Sequence, residues 1–124
     1  MLRGLADNVM QTLERYFLTV SLLMRRGSGT LTAKDTEEQS TLLAQRISLL
    51  YGINAPEFFD KSLFRTLILH LQERGLLAKA EDDTLTYGAS LGELSESLEA
   101  ILDGALRQSI LRSLEAELPQ AIDD

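Results

Sequence analysis

Residues 63–88, LFRTLILHLQERGLLAKAEDDTLTYG, pass from a helix into a strand pair, and that passage decides the fold. Leu63, Phe64, Leu67, Ile68 and Leu71 recur at steps of three and four, which gathers the most apolar helix face of the chain onto one side. Gly75 supplies the stop, because a residue without a Cβ takes the left-handed conformation that closes a helix. Beyond it, Leu76–Ala80 and Leu85–Tyr87 flank the polar turn Glu81-Asp82-Asp83-Thr84, a pattern that predicts a β-hairpin over about 76–87. Upstream, Pro56 suits the first position of a helical turn, and Asp60 or Ser62 can cap the helix that follows. Phe58 and Phe59 are placed to plug the junction.

Toward the N-terminus, residues Leu2 to Arg26 read as a helix with a stripe of Leu5, Val9, Leu13, Phe17, Val20 and Met24. Leu18, Leu22 and Leu23 fill its other faces, so its second half is apolar nearly all round and calls for burial in a core or against a partner. Arg25 and Arg26 suit its C-terminal end, and Gly27 suits its stop. GSGTLT is expected to be a loop. Thr32 then caps a second helix with Asp35, Glu37 and Glu38 in or near its first turn, a buried face of Leu43, Ile47, Leu50 and Tyr51, and Gly52 at its end. Ile53-Asn54-Ala55-Pro56 is a connector.

After the hairpin, Ser90-x-x-Glu93 reads as a capping box that opens a last helix over about 90–118. Leu91, Leu94, Leu98, Ile101, Ala105, Ile110 and Leu114 keep it amphipathic until Pro119, and the final AIDD is expected to fray. The fold class is therefore mainly α, a small bundle of about four helices with one short β-hairpin. The order of elements also allows a winged-helix-like arrangement.

The chain has 124 residues, enough for one domain with a real core, and its 44% hydrophobic and 25% charged content is ordinary for a folded protein. Its lack of cysteine removes disulfides, thiol nucleophiles and thiolate metal ligands together, and fits a reducing compartment. LRGLADNVMQ after Met1 has no secretory pattern. The densest apolar run, Tyr16 to Met24, falls well short of the roughly 20 residues a spanning helix needs. The net charge of −7 is uneven: residues 1–30 are net +2 and residues 89–124 net −6. A phosphate backbone is bound mainly by accumulated Lys and Arg, so this balance argues against a nucleic-acid partner.

Searching for chemistry returns little. His70 is the sole histidine and the first candidate for acid–base work. Glycerolipid-type acyltransferases use a histidine with an aspartate five positions later, and five positions after His70 stands Gly75. Metal sites on helices need further His or Glu at helical spacing, whereas Leu67 and Thr66 precede His70 and Glu73 is a single carboxylate. His70 therefore reads as a helix histidine at the edge of a core. Glu93, Glu96, Glu99 and Asp103 form a charge row opposite an apolar stripe, which is the habit of a solvated face. RRGSGT has glycines and arginines but not the spacing or the preceding strand of a phosphate-binding loop. No serine-nucleophile motif appears. The sequence gives no catalytic, cofactor-binding or metal-binding residue and implies no cofactor.

Three helices that end in ERGLLAKAEDDTLTYG resemble the close of a winged helix, in which a recognition helix runs into a two-stranded wing. That third helix should offer Lys and Arg to a groove. Here Lys61, Arg65 and Arg74 stand against Asp60 and Glu73, so the shape is expected without DNA binding.

LERYF (residues 13–17), LLAQRISLLYGINAPEFFDKSLF (42–64) and LHLQERGLL (69–77) resemble the C-terminal region of the bacterial membrane-bound glycerol-3-phosphate 1-O-acyltransferase. The similarity covers roughly Leu13 to Leu77, and INAPEFFDKSLF is its specific part. The resemblance implies a non-catalytic C-terminal domain spanning residues 1–124, a separated tail or a shortened frame of a larger enzyme. That enzyme transfers an acyl group from acyl carrier protein or coenzyme A to glycerol 3-phosphate in phospholipid synthesis, at the cytoplasmic face of the inner membrane. The family's histidine–aspartate motif and glycerophosphate-binding residues have no counterpart here. The implied partners are the catalytic domain of the same enzyme and, through the first helix with Arg3, Arg15, Arg25 and Arg26, an anionic membrane surface. By itself the domain is expected to be soluble. The competing expectation is an independent winged-helix-like interaction or regulatory module.

Overall fold

The computed structural model describes residues 2–51, 56–102, 110–112 and 114, with side chains at 11–50, 58–102, 110–112 and 114. Helix α1 (Leu2–Arg26) leads to α2 (Ala33–Tyr51), a 3-10 turn (Pro56–Phe59), α3 (Lys61–Glu73), strands β1 (Ala78–Lys79) and β2 (Leu85–Thr86), and α4 (Ala89–Ile101). The chain is mainly helical with one small antiparallel hairpin, as its sequence predicts. Calls on Leu5, Val9, Tyr51, Gly52, the Ile53-Asn54-Ala55 connector, Ala105 and the AIDD tail lie outside the described residues or side chains.

The core forms around α1. Phe17, Leu18, Val20, Leu22 and Leu23 are all buried, so the surplus apolar surface on the second half of this helix is consumed inside the chain. Met24 departs from the predicted stripe and is half exposed at the helix end. Gly27, at φ +100, donates its N–H to the Leu23 carbonyl at 2.8 Å and turns the chain out of the helix.

Helix α2 opens on a reciprocal cap. The Asp35 N–H donates to Thr32 Oγ1 at 3.0 Å, and the Thr32 N–H donates to Asp35 Oδ2 at 3.2 Å. Leu43 and Ile47 are buried as expected, but Leu50 is exposed. The reason is the path of the seam. Thr36, Ser40, Ala44 and Ser48, four residues apart, are all buried, and this line of small side chains leaves Leu50 off the packed face.

Pro56 starts the 3-10 turn and Phe58 is fully buried beneath it. Asp60 caps α3: its Oδ1 accepts from the Ser62 N–H at 2.9 Å and from Ser62 Oγ at 2.7 Å, and these bonds hold its carboxyl below the usual carboxylate range. Phe64, Leu67, Ile68 and Leu71 are buried. At the far end, the Leu76 N–H donates to the Leu71 carbonyl at 2.9 Å and the Gly75 N–H to the Gln72 carbonyl at 3.1 Å, with Gly75 at φ +79. Those two bonds form a Schellman stop.

The hairpin pairs Ala78 with Thr86 and Lys79 with Leu85. Its turn is fixed by Asp82 Oδ1, which accepts from the Thr84 N–H at 3.1 Å and Thr84 Oγ1 at 2.6 Å, while Asp83 sits at φ 70. A third segment joins it. Thr32 bridges Thr84, Leu85 donates to the Leu31 carbonyl at 2.7 Å, and Gly29 donates to the Leu85 carbonyl at 2.8 Å. The order helix, bridged segment, two helices, two strands, with β2 between its two partners, agrees with the winged-helix-like arrangement that the sequence allows.

Helix α4 corrects two expectations. Its N-cap is Gly88, with no side-chain cap bond, so Ser90 lies inside the first turn and the Ser90–Glu93 capping box does not form. The helix also ends at Ile101, short of the predicted 118: Leu102 turns to φ −75, ψ 151 and buries its side chain. Asp103-Gly104 follows in sequence, a pair that favours turns over helix. Ile110, Leu111, Arg112 and Leu114 are again helical, with Ile110 and Leu114 buried.

Two glycines separate backbone strain from helix propensity. A Cβ at Gly75 meets nothing within 4 Å, so Gly75→Ala isolates the cost of positive φ and is expected to destabilise by about 1 kcal/mol. A Cβ at Gly92, inside α4, makes an ordinary 3.7 Å contact with Met24 Cε, and Gly92→Ala is expected to stabilise by about 0.5–1 kcal/mol. Urea unfolding midpoints read both; shifts of the same sign refute the assignment.

Candidate functional site

Among the described residues, one concavity lies where α1 and α3 approach the hairpin and α4. It is a groove of about 410 Å³ lined by Tyr16, His70, Leu71, Glu73, Arg74, Leu76 and Leu94. A smaller hollow of about 140 Å³ adjoins it, lined by Thr12, Arg15, Tyr16, Leu63, Thr66, Leu67 and His70. The two share Tyr16 and His70, whose Oη and Nδ1 stand 3.5 Å apart. Helical spacing explains the grouping: His70, Glu73 and Arg74 are three and four residues apart, so they share one side of α3. Burial pushes the Tyr16 hydroxyl up from its ordinary value, opposed by the nearby Arg74 guanidinium.

General-base chemistry needs a base within reach of the proton it takes, and a nucleophile needs a base that a third group orients. Here the histidine is solvent-exposed at the rim, its tyrosine contact is at the limit of hydrogen bonding, and no carboxylate is recorded on its ring. Gly75, where an acyltransferase aspartate would have to stand, has no side chain and gives its N–H to the helix stop. Among the described residues no group of three or more His, Cys, Asp or Glu is placed to hold a metal ion. Glu93, Glu96 and Glu99 are exposed on α4, and Asp103 lies outside the described residues.

Electrostatics on α3 bear on nucleic acid. Arg65 makes a two-pronged contact with Glu37 of α2, Nε to Oε1 at 3.2 Å and Nη2 to Oε2 at 2.9 Å, which raises its already high pKa. Lys61 lies 3.9 Å from Glu38. Two of the three cations on the helix that would enter a groove are thus matched by carboxylates of its own neighbour.

The sequence missed the strand segment at Leu31, which closes the sheet. A signal was present: Thr30-Leu31-Thr32 repeats Thr84-Leu85-Thr86, two short β-prone triplets with a central leucine. Both leucines are buried. The Glu37–Arg65 pair was invisible because it joins residues 28 apart.

Comparison with known proteins settles the lineage. Residues 1–80 match the model of the glycerol-3-phosphate acyltransferase C-terminal region. The chain belongs to that family. It is 45% identical over 116 residues to the glycerol-3-phosphate acyltransferases of Pseudomonas aeruginosa and Pseudomonas paraeruginosa, covering 93% of this chain and 14% of each relative. A relative from Pseudomonas fluorescens strain Pf-5 is 43% identical over 107 residues, covering 86% of this chain and 13% of its own. This chain thus spans about one seventh of the length of these acyltransferases. The resemblance seen at Leu13–Leu77 holds and extends, since alignments over 93% of the chain run well past Tyr87. No solved structure matches it.

Arg65→Met leaves Glu37, whose side chain is 10% exposed, without its guanidinium partner. The variant is expected to unfold at a lower denaturant midpoint, by a margin kept modest by the exposure of Arg65. Adding Glu37→Met is expected to recover most of it. Chemical denaturation of the single and double variants decides this; additive losses would exclude the pairing.

Proposed function

We propose that this chain is the non-catalytic C-terminal domain of a glycerol-3-phosphate acyltransferase, a single domain over residues 1–124 that packs on the catalytic part of the enzyme. The observation that carries this reading is the match over 93% of the chain to relatives of which it forms only 14%. The complete enzyme takes an acyl group from acyl carrier protein or coenzyme A and places it on glycerol 3-phosphate. The groove at Tyr16 and His70 supplies none of that chemistry, because it lacks an oriented base. Acyl transfer belongs to the rest of the enzyme, at the cytoplasmic face of the inner membrane. An independent regulatory module has only the winged-helix order of elements in its favour.

Acyl carrier protein is itself acidic, so a domain of net charge −7 is a poor main docking surface for it. Of the four α1 arginines expected to meet anionic lipid, Arg3 lies outside the described side chains and Arg15 is buried, so the proposed contact rests on the end of the helix. The apolar residues of its described second half lie in the core, apart from half-exposed Met24, while Arg25 and Arg26 are exposed and available to headgroups. No described helix is long and apolar enough to cross a membrane.

Purified chain incubated with acyl-coenzyme A and radiolabelled glycerol 3-phosphate is expected to form no lysophosphatidate; turnover above the blank would overturn the non-catalytic assignment. For the lipid contact, cosedimentation with anionic liposomes should be weak and fall with added salt. Arg25→Glu combined with Arg26→Glu is expected to abolish it, and unchanged binding removes α1 as the contact.

A further inference from the structure

Helix α2 carries more apolar surface than the described residues cover. The buried seam runs through Thr36, Ser40, Ala44 and Ser48. On the opposite side stand Leu42 and Leu49, 62% and 85% exposed, seven residues and so about two turns apart, with Leu50 at 63% on the flank. Leucines that far exposed, aligned on one helix and rimmed by Gln45 and Arg46, have the make-up of an interface centre with a polar edge. Scattered single leucines would need no account; an aligned group on one helix does.

We propose that this outward face of α2 is where the domain docks on the remainder of the acyltransferase chain. The inference rests on the reading above, that the chain works as one part of a longer enzyme. Size argues for this occupant. Three leucine side chains offer at most roughly a few hundred Å², whereas separate proteins that associate stably bury on the order of 1,000 Å² or more. A second free copy of the chain is therefore poorly served by this patch. A segment of the same polypeptide is well served, because covalent linkage replaces bimolecular association with a high effective concentration. The relatives, about seven times longer than this chain, supply such a segment. Charge does not favour lipid: around these leucines Asp35 and Glu38 offset Arg46, so no cationic surplus draws anionic headgroups. The complementary surface is accordingly apolar.

The test uses an intact enzyme in which this chain replaces the matching C-terminal region of the Pseudomonas aeruginosa acyltransferase. A benzophenone amino acid is placed at Leu49 and, separately, at exposed Glu73 on α3. Irradiation is expected to join position 49 to peptides from the upstream part of the same molecule. Leu42→Asp with Leu49→Asp should make the C-terminal region at least tenfold more readily released by limited proteolysis, while the melting temperature of the isolated chain stays unchanged. Crosslinks from position 49 only to lipid, only to a second copy, or to nothing overturn the proposal. If the C-terminal region then still resists release, or position 73 reaches the upstream part, the domain reading survives and another face docks. If the region is released as freely as an unattached chain, that reading falls as well. Should the chimaera not fold, the same probe at the aligned position of the unmodified relative gives the same outcomes.

Discussion

The fold depends on the pairing of Leu31 with Leu85. These two residues are 54 positions apart in sequence, yet the Leu85 N–H donates to the Leu31 carbonyl at 2.7 Å, and the Leu85 carbonyl accepts from Gly29 at 2.8 Å. Around that clasp the ends of four elements converge. Tyr87 donates its hydroxyl to the Leu23 carbonyl near the end of α1 at 3.1 Å, and its N–H to Ser28 Oγ at 3.0 Å. Thr32, one residue after Leu31, caps α2, and Gly88, one residue after Tyr87, caps α4. The exit of α1, the entry of α2, the hairpin and the entry of α4 are therefore set by one short strip of backbone. Its two leucines are buried, so the pairing is shielded from water, where a hydrogen bond counts for more than on the surface.

That dependence explains which parts of the fold were legible from the residues. α3 was readable to its caps, because the forces on it are local: Asp60 bonds two residues ahead, and Gly75 closes the last turn. The cap at Thr32 was readable for the same reason. The clasp was not, since nothing local marks GSGTLT as half of a sheet; only its likeness to Thr84-Leu85-Thr86 hints at the match. α4 shows the opposite error. Ser90 and Glu93 have the spacing of a capping box, but the start of the helix is dictated by Tyr87 and its bonds to α1 and the loop, one turn of the argument away from local sequence. On α2, following the large residues led to Leu50, whereas the packed seam uses the small ones.

Legibility of the candidate site divides in the same way. His70 and Glu73 could be placed on one face from spacing alone, and so could the lack of a carboxylate five residues on. Tyr16 could not be placed beside His70, because the contact crosses from α1 to α3, 54 residues away. The same holds for Glu37 and Arg65. A reader of composition sees Lys61, Arg65 and Arg74 on one helix and must guess whether they are spent. The structure shows Arg65 held by two bonds and Lys61 near Glu38, so the helix that a winged fold would present to DNA is largely neutralised from inside the domain.

This neutralisation separates architecture from use. A winged-helix order of elements fixes how helices and strands meet, through contacts such as Leu31–Leu85, and it is indifferent to what the outer surface carries. Binding a phosphate backbone asks for accumulated positive charge, and the domain has instead a net charge of −7 with two of its three α3 cations matched by acids. Catalysis asks for a base with an orienting partner, and α3 ends in Gly75 where such a partner would have to stand. What the surface does retain is apolar: Leu42, Leu49 and Leu50 lie on the outer side of α2, away from the groove and from the clasp. Leucines kept in water on one side of a helix are what the proposed docking on protein calls for. The relatives run to about seven times this length, and the proposed contact is with the part of such an enzyme that lies outside the matched region.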